Sequence, residues 1–269
     1  MNELDAADVL ARYDSQLRVH VQDRSPEGLR VERDGPVLRS TGLGRGGGIA
    51  YRDLGGIEGA ELDELIARQV RVFADLGEAF EWKLHGHDRP ADLSERLMGQ
   101  GFVPEDLETV VIAPVAEIAA EVRLPDGVTL REVSERADLD RIGAMEDAIW
   151  HDDRAVWLAD SLEAEQVADP HAITIVVAES AGELVSAGWA RFVSGTDFAT
   201  LWGGGTLPSW RRRGIYRALV TFRANLAAER VFPLLQVDAS SESCPILQRL
   251  GFIAVTTTTP FIWTPPAVP

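Results

Sequence analysis

One pattern of predicted elements occurs twice in this chain, and it restricts the fold more than any other feature of the sequence. In each half, a helix is followed by a strand, a short helix, a glycine–phenylalanine pair and a further strand. The two pairs are Gly101–Phe102 and Gly251–Phe252. Glycine readily adopts the left-handed conformation that closes a helix. The repetition predicts an internal duplication, with a boundary at about 116–127.

Apolar periodicity and turn residues set the elements of the two copies. In the first half we predict strands at 16–22, 35–41 and 47–54, a helix at 61–76, a strand at 80–87, a short helix at 91–100 and a strand at 106–114. In the second half we predict a strand at 127–133, helices at 134–150 (with Ser134 as N-cap) and 157–169, strands at 172–180, 184–193 and 197–207, a helix at 211–230, a strand at 232–240, a short helix at 243–250 and a hairpin or strand pair at 252–263. This order is typical of a mixed α/β sheet with crossover helices.

Composition excludes several classes of function. The formal net charge is −17 and the sequence pI is about 4.7, so most of the surface cannot form the basic face that nucleic acids require. The N-terminus lacks a signal-peptide pattern, and no apolar run approaches the roughly 18 residues of a membrane span. We therefore expect a cytoplasmic protein without nucleic-acid or membrane partners, and the acidic composition suits a cationic small molecule or an amine.

The stretch WRRRGIYRALV at 210–220 concentrates positive charge at a predicted helix start. A helix N-terminus attracts anions and repels cations, so four arginines there are unfavourable unless an anion binds. Gly214 lets the backbone approach a ligand closely, and the N–H groups of residues 212–217 together with the arginines can cradle a pyrophosphate. The stretch is neither a Walker A loop nor a dinucleotide fingerprint. The alternative is a solvated basic helix face.

The sequence TLPSWRRRGIYRALV resembles the acetyl-CoA-binding motif of the GNAT superfamily of N-acetyltransferases. That motif ends a strand with a hydrophobic-x-Pro and continues as Arg/Gln-x-x-Gly-x-Gly/Ala. Arg211, Gly214 and Tyr216 stand at its three positions, and Tyr216 departs from the small residue expected. A second family signature, a strand and a short helix ending in Leu-Gly-Phe, is matched by LLQVDASSESCPILQRLGF. The resemblance covers about 127–263.

The resemblance implies an α/β fold with a mixed, mostly antiparallel central sheet, flanking helices and two tandem domains. The first domain, 1–118, is a degenerate copy without a cofactor site, because its equivalent loop at 55–65 is acidic and lacks arginine. The second domain, 127–269, is the acetyltransferase. Oligomeric state stays open between a monomer and a homodimer.

The activity that the resemblance implies is transfer of an acyl group from acetyl-CoA to the primary amine of a small molecule, by direct attack on the thioester. Acetyl-CoA is the acyl donor. Its binding residues would be Gly204, Gly205, Thr206, Arg211, Arg212, Arg213, Gly214, Ile215, Tyr216, Arg217 and Ser240. Three glycines at 203–205 suit a strand that the pantetheine arm approaches closely.

The residues that often act as acid and base in this family are replaced. Leu247 occupies the usual tyrosine position, and Thr200 that of a glutamate base; Ser240 replaces an asparagine. Glu146 and Asp152 are our candidate catalytic residues, in a segment (145–153) that also holds His151 and Asp153 and usually lines the acceptor pocket. An exposed acidic helix end is the alternative interpretation of that segment. A non-catalytic CoA-binding or regulatory protein is the alternative function.

Other conspicuous residues have simpler interpretations. His85, His87 and Asp88 could suggest a metal, but we predict the end of a strand and no metal site. The glycines of GLGRGGG at 42–48 precede a strand-like segment, so we predict a turn. The single cysteine, Cys244, is best explained as a small buried hydrophobe. Trp189 and Trp202 are candidates for the core or for the wall of an acceptor pocket.

Overall fold

The computed structural model of the protein describes residues 5–43, 46–151 and 155–266. The helices are α1 (Ala6–Gln16), α2 (Gly59–Leu76), α3 (Leu93–Gly99), α4 (Val115–Ile118), α5 (Arg136–Trp150), α6 (Ala155–Ala168), α7 (Ile215–Glu229) and α8 (Cys244–Leu250). The strands are β1 (Arg30–Asp34), β2 (Val37–Thr41), β3 (Gly47–Ala50), β4 (Phe80–His85), β5 (Val103–Pro104), β6 (Glu108–Pro114), β7 (Val128–Val133), β8 (Ile173–Ser180), β9 (Glu183–Phe192), β10 (Phe198–Thr206), β11 (Leu234–Ala239) and β12 (Ile253–Trp263). None of these helices is both long enough and apolar enough to cross a membrane.

The strands form one mixed sheet in the order β1-β2-β3-β4-β12-β6-β11-β10-β9-β8-β7, with β5 beside β12. Two pairs in the described part of the chain are parallel, β3 with β4 and β10 with β11, and the others are antiparallel. The predicted α/β class with a mostly antiparallel sheet is confirmed. Each parallel pair is joined by a long helix, α2 or α7, so the predicted repetition is present in the topology.

The two halves exchange strands at the centre of the sheet. The last strand, β12, pairs with β4 and β6, while β6 pairs with β11 on its other side. A strand from each half therefore lies between strands of the other half. The division into 1–118 and 127–269 stays a prediction, but the hydrogen bonds of the sheet run without interruption from one half into the other.

Helices cover both faces of the sheet. On one face, α7 and α8 pack through Leu219 and Leu247 against Leu201 and Leu235, and α2 packs through Phe73 against the neighbouring part of the sheet. On the other face lie α5 and α6, over β7–β9, and α1, over β6, β10 and β11. A strip of this second face is left between α1 and α5.

The predicted strand at 16–22 is wrong. Helix α1 is capped by the Asp5 side chain and extends to Gln16, and the following residues form turns and irregular backbone. The alternation of Leu17, Val19 and Val21 suggested a strand. However, the buried residue is Arg18, held by Asp88, whereas Val21 is 46% exposed. A buried ion pair therefore determines the path of this segment.

Three boundaries also differ from the predictions. Helix α5 begins at Arg136 after Glu135, so Ser134 is not its N-cap. The segment 252–263 forms one long strand with a bulge between Ala254 and Thr256, because it has partners on both sides. The predicted helix at 211–230 is α-helical from Ile215 onward, since 208–210 is a 3-10 turn and Gly214 has a positive φ.

Candidate functional site

Strands β10 and β11 diverge in the middle of the sheet. They pair in parallel from Phe198 with Leu234 to Thr200 with Gln236. Beyond that point β10 stays paired with β9 as far as Thr206, and β11 stays paired with β6 as far as Ala239. The two strand edges that face each other are left without a strand partner over this length. Backbone N–H and C=O groups on such edges can pair with an extended ligand.

The free edge of β10 carries a bulge at its glycines. The pairing with β9 shifts between Gly203 and Gly205, and Gly203 and Gly204 have φ values of 65° and 94°. A Cβ atom on Gly203 would lie 2.5 Å from the Trp189 ring, and one on Gly204 would lie 2.7 Å from the Tyr216 ring. Glycine is therefore required here both by the backbone conformation and by the packing of two aromatic rings.

A buried guanidinium holds the bulge from the α7 side. Arg223 Nη1 donates hydrogen bonds to the carbonyl oxygens of Trp202 (2.8 Å) and Trp189 (3.1 Å), on β10 and β9. Its Nε donates to the carbonyl of Leu219. Burial lowers the pKa of Arg223 to about 10. This side chain fixes the two strands at the position where they leave the regular ladder.

The start of α7 has the properties of an anion site. Gly214 precedes the helix with no side-chain cap, and no acidic residue lies in the first turn. Arg211, Arg212 and Arg213 are exposed, and none of them forms an ion pair within the described residues. Arg211 Nε donates to the carbonyl of Thr206, and Arg213 lies over the ring of Trp210 at 4.6 Å. The uncapped N–H groups and the guanidinium groups make the local potential positive.

The predicted cofactor residues lie along one continuous path. Gly204, Gly205 and Thr206 are on the free edge of β10, and the arginine stretch follows directly. Ser240 lies opposite, after β11, where its hydroxyl accepts a hydrogen bond from the N–H of Ser243. Ile215 differs from its neighbours because its side chain is buried in the core, so only its backbone can face a ligand.

Tyr216 lies between the two diverging strands. Its ring packs on Gly204, and it also interacts with Ser243 at the start of α8. Burial raises the pKa of the Tyr216 hydroxyl. Leu247, at the position where the family often has a tyrosine, is fully buried and packs in the core. The tyrosine of this region is thus on α7 rather than on α8.

Glu146 reaches the same bulge from α5. Its carboxylate lies where a Cβ on Gly205 would be, so it contacts β10 directly. The indole Nε1 of Trp150 donates to Glu146 Oε2 at 2.7 Å. His151 ends α5 in the left-handed conformation. Asp152 and Asp153, which we also considered, lie outside the described residues.

A further set of side chains occupies the strip between α1 and α5. Trp202 is 39% exposed and has Arg191 at 4.7 Å and Lys83 at 5.8 Å from its ring. Lys83 Nζ donates to Asp238 Oδ2 at 2.8 Å. Trp202 was a candidate from the sequence, whereas Lys83 and Asp238 were missed. The sequence signal that could have indicated them is a charged side chain alternating with apolar ones along β4 and near the end of β11.

The pair of histidines has structural roles. His85 ends β4 as predicted, and its Nε2 hydrogen bonds to the Tyr13 hydroxyl at 3.0 Å. Asp88 accepts hydrogen bonds from Arg18, the Tyr51 hydroxyl and the backbone N–H of His85. These contacts fasten α1 and the residues that follow it to the end of β4.

The sequence profile of the Acetyltransferase (GNAT) family matches residues 142–252, from within α5 to the end of the glycine–phenylalanine pair. No curated protein matches the sequence.

Solved structures resemble nearly the whole chain. A GCN5-related N-acetyltransferase from Kribbella flavida has a TM-score of 0.64 at 17% identity, over 99% of this chain and 98% of its own. A conserved protein of unknown function from Staphylococcus epidermidis has a TM-score of 0.68 at 12% identity, over 91% and 96%. A tandem GNAT protein from the clavulanic acid biosynthesis pathway has a TM-score of 0.62 at 11% identity, over 99% and 98%. At these identities the likeness establishes the fold.

Proposed function

We propose that this chain is an acyltransferase that transfers an acetyl group from acetyl-CoA to a primary amine of a small molecule. The match of residues 142–252 to the Acetyltransferase (GNAT) family supports this proposal. One observation carries the proposal: the divergence of β10 and β11 leads directly into the uncapped, arginine-bearing start of α7. An extended arm ending in a pyrophosphate matches that sequence of surfaces.

Each part of acetyl-CoA has a matching surface. The pyrophosphate binds the N–H groups at the start of α7 and the guanidinium groups of Arg211, Arg212 and Arg213. The pantetheine amides pair with the free edge of β10, near Gly204, Gly205 and Thr206. The thioester then lies within the gap, between the bulge and Ser240. Arg217, in the first turn of α7, adds positive charge beside the phosphates.

The reaction is a direct attack of the neutral amine on the thioester carbonyl. The carbonyl oxygen becomes negatively charged, and a backbone N–H of β10 donates a hydrogen bond to it. Glu146, in contact with Gly205, is positioned to hold or accept a proton beside this strand. The leaving group is a thiolate, whose conjugate acid has a pKa of about 8.5, so it can leave without a tyrosine at position 247.

The test is release of free CoA thiol from acetyl-CoA in the presence of a panel of primary amines. The Arg213→Glu/Gly214→Glu double variant places negative charge and a strained backbone in the phosphate site, because Gly214 has a φ of 89°. Arg30→Glu, an exposed charge reversal on the distant edge strand β1, is the control. We expect turnover by the native protein and Arg30→Glu and none by the double variant. Equal turnover by all three would contradict the proposal.

A specific contact favours a second candidate, a CoA-binding or regulatory protein without catalysis. The Tyr216 ring lies on Gly204, in the gap that the thioester would enter. If Tyr216 prevents productive binding, the native protein releases no thiol with any amine, and Tyr216→Ala restores release. If Tyr216 accommodates the thioester, the native protein is active and this alternative is excluded.

A further inference from the structure

The gap between β10 and β11 opens on two faces of the sheet. Thr200 and Gln236 are register partners, so Trp202 and Asp238, two residues further along each strand, point to the same face. The intervening residues Leu201 and Val237 pack against α7 on the opposite face. Trp202 and Asp238 are thus the two borders of the gap on the face away from α7.

Residues of the N-terminal half approach this opening. Lys83 Nζ, from β4, lies 2.8 Å from Asp238 Oδ2, 3.9 Å from Glu108 Oε2 and 3.7 Å from Glu81 Oε1. It also lies 5.8 Å from the Trp202 ring. The Lys83 ammonium group therefore lies near both borders of the gap and near Glu108, at the start of β6. The Glu108 carboxylate, which belongs to the N-terminal half, is therefore one of the groups around the opening.

The charges at this opening favour a cation. With Glu108 ionised, Glu81, Glu108 and Asp238 contribute three negative charges and Lys83 one positive charge, which leaves a net charge of −2. Arg191, on the far side of Trp202, is neutralised by Glu165 through two hydrogen bonds. An acceptor ammonium is therefore attracted to the opening, and attraction is strongest near the carboxylates.

Glu108 is placed to change its protonation state. Its side chain is 30% exposed, so protons can exchange with solvent. Burial raises the pKa of Glu108 to about 7; the charge of Lys83 opposes this increase, and the charges of Asp238 and Glu81 add to it. The Thr258 hydroxyl lies 3.5 Å from its carboxylate. A carboxyl that titrates near neutral pH suits general base catalysis.

The pKa values of three other groups near Glu108 (Lys83, Tyr13 and His85) are shifted away from neutral pH. The negative charges of Asp238, Glu81 and Glu108 raise the pKa of Lys83 although burial opposes this. Burial and Asp238 raise the pKa of Tyr13, which reaches the cluster from α1. Burial lowers the pKa of His85, at the end of β4. An ionisation near pH 7 at this opening is therefore assigned to Glu108.

We propose that Glu108, contributed by the N-terminal half, is the general base that takes a proton from the acceptor's ammonium group at the opening beside Trp202 and Asp238. The proposal rests on the proposed function. Lys83 is a positioning residue, because its ammonium group lies 3.9 Å from the Glu108 carboxylate and favours the ionised form. The half without an arginine-bearing cradle thus contributes chemistry to the acetyltransferase domain.

Each proton released in the reaction has an acceptor. The ammonium R–NH3+ gives one proton to Glu108, which becomes a neutral carboxyl, and the amine R–NH2 attacks the thioester carbon. A C–N bond forms, the C–S bond breaks, and the sulfur leaves with the bonding electron pair. The nitrogen loses its second proton to the departing thiolate, which gives the amide and CoA thiol. Glu108 then releases its proton to water for the next cycle.

The test is the pH dependence of kcat/KM from pH 5.5 to 9, with the amine that the native protein acetylates. We expect the rate to rise with pH through a pKa near 7, since the ionised carboxylate is the active form. Glu108→Gln should lower the rate 10²- to 10⁴-fold and remove this rise. Glu81→Gln should move the rise to lower pH, because it removes a charge that raises the Glu108 pKa, and Lys83→Met should move it to higher pH.

Two further variants and a binding measurement distinguish failure of the Glu108 assignment from failure of the proposed function. Glu117→Gln, an exposed change on α4, should leave the profile unchanged, and Glu146→Gln should keep the rise near pH 7 even where it lowers the rate. Calorimetric binding of acetyl-CoA shows that each variant is folded. An active native enzyme whose Glu108→Gln variant keeps the rise would overturn the assignment of Glu108 while the proposed function stands. A native protein that acetylates no amine would overturn both.

Discussion

Asp88 is a residue whose neighbours define a structural role within the N-terminal half. Burial alone would raise its pKa, but hydrogen bonds from His85 and Tyr51 and the charge of Arg18 outweigh it and lower the pKa to about 2. Arg18 and Asp88 are both buried, with their side-chain atoms 2.7 Å apart. Removing one partner of such a pair leaves a buried charge with less compensation.

We expect Asp88→Asn to lower the free energy of unfolding by about 3 kcal/mol at pH 7. Because the pKa of Asp88 is lowered by folding, its contribution is complete above its usual value of 3.8 and is lost as the pH falls towards 2. Urea unfolding of native protein and variant should therefore converge at acid pH. Asp53→Asn, at an exposed position, is the control. A difference between native protein and Asp88→Asn that is independent of pH would contradict this account.

The sequence alone indicates residues whose proposed role depends on local backbone spacing, but not those whose proposed role depends on distant partners. The spacing of Arg211, Gly214 and Tyr216 is local, so a sequence pattern can indicate them. Glu108 and Lys83 are 25 residues apart in sequence (108 − 83), and only strand order brings them to Asp238. A local sequence pattern carries no information about the order of the strands in the sheet.

At the scale of elements, β10 and α7 depend on one another through Gly204 and Tyr216. Gly204→Ala would place a Cβ 2.7 Å from the Tyr216 ring at a φ of 94°. We expect a loss of stability of more than about 1 kcal/mol from strain and clash together. Combining it with Tyr216→Gly removes the clash and leaves the backbone strain.

A double-mutant cycle by urea unfolding measures this coupling. We expect the double variant to be more stable than the sum of the single changes predicts, by about 0.5–3 kcal/mol. Gly195→Ala, also at positive φ but with open space around it, is the matched control for backbone strain. Strict additivity of Gly204→Ala and Tyr216→Gly would mean that the ring does not restrict the bulge.

Most elements could be predicted because apolar periodicity and turn residues are local signals. The helices after β3 and β10 and the two glycine–phenylalanine closures were identified from these signals alone. The failures have physical causes: at 16–22 a buried ion pair overrides the apolar alternation, and at 252–263 two partner strands keep one strand extended where a hairpin or strand pair was predicted. Tertiary contacts that override local preference are not visible in a local pattern.

At the scale of the whole molecule, the exchanged strands make the halves interdependent. Without residues 1–118, β11 and β12 would lose β6, which lies between them. Both would expose apolar strand edges, which promote aggregation. We expect 127–269 expressed alone to aggregate or to lack a cooperative unfolding transition, whereas the full chain unfolds cooperatively.

Size-exclusion chromatography with light scattering, followed by thermal unfolding, checks this expectation and also gives the oligomeric state of the full chain. The matched comparison is 127–269 mixed with separately produced 1–118. A fragment 127–269 that is monomeric and unfolds cooperatively would show that the exchanged strand is dispensable.

The proposed function requires that acetyl-CoA binds in the gap between β10 and β11 and at the start of α7. The most direct measurement is calorimetric titration of acetyl-CoA into the native protein, the Arg30→Glu control and the Arg213→Glu/Gly214→Glu variant. The account predicts saturable binding to the first two with a stoichiometry of about one per chain, and no binding to the third. Absence of binding to the native protein, or equal binding to all three, would contradict it.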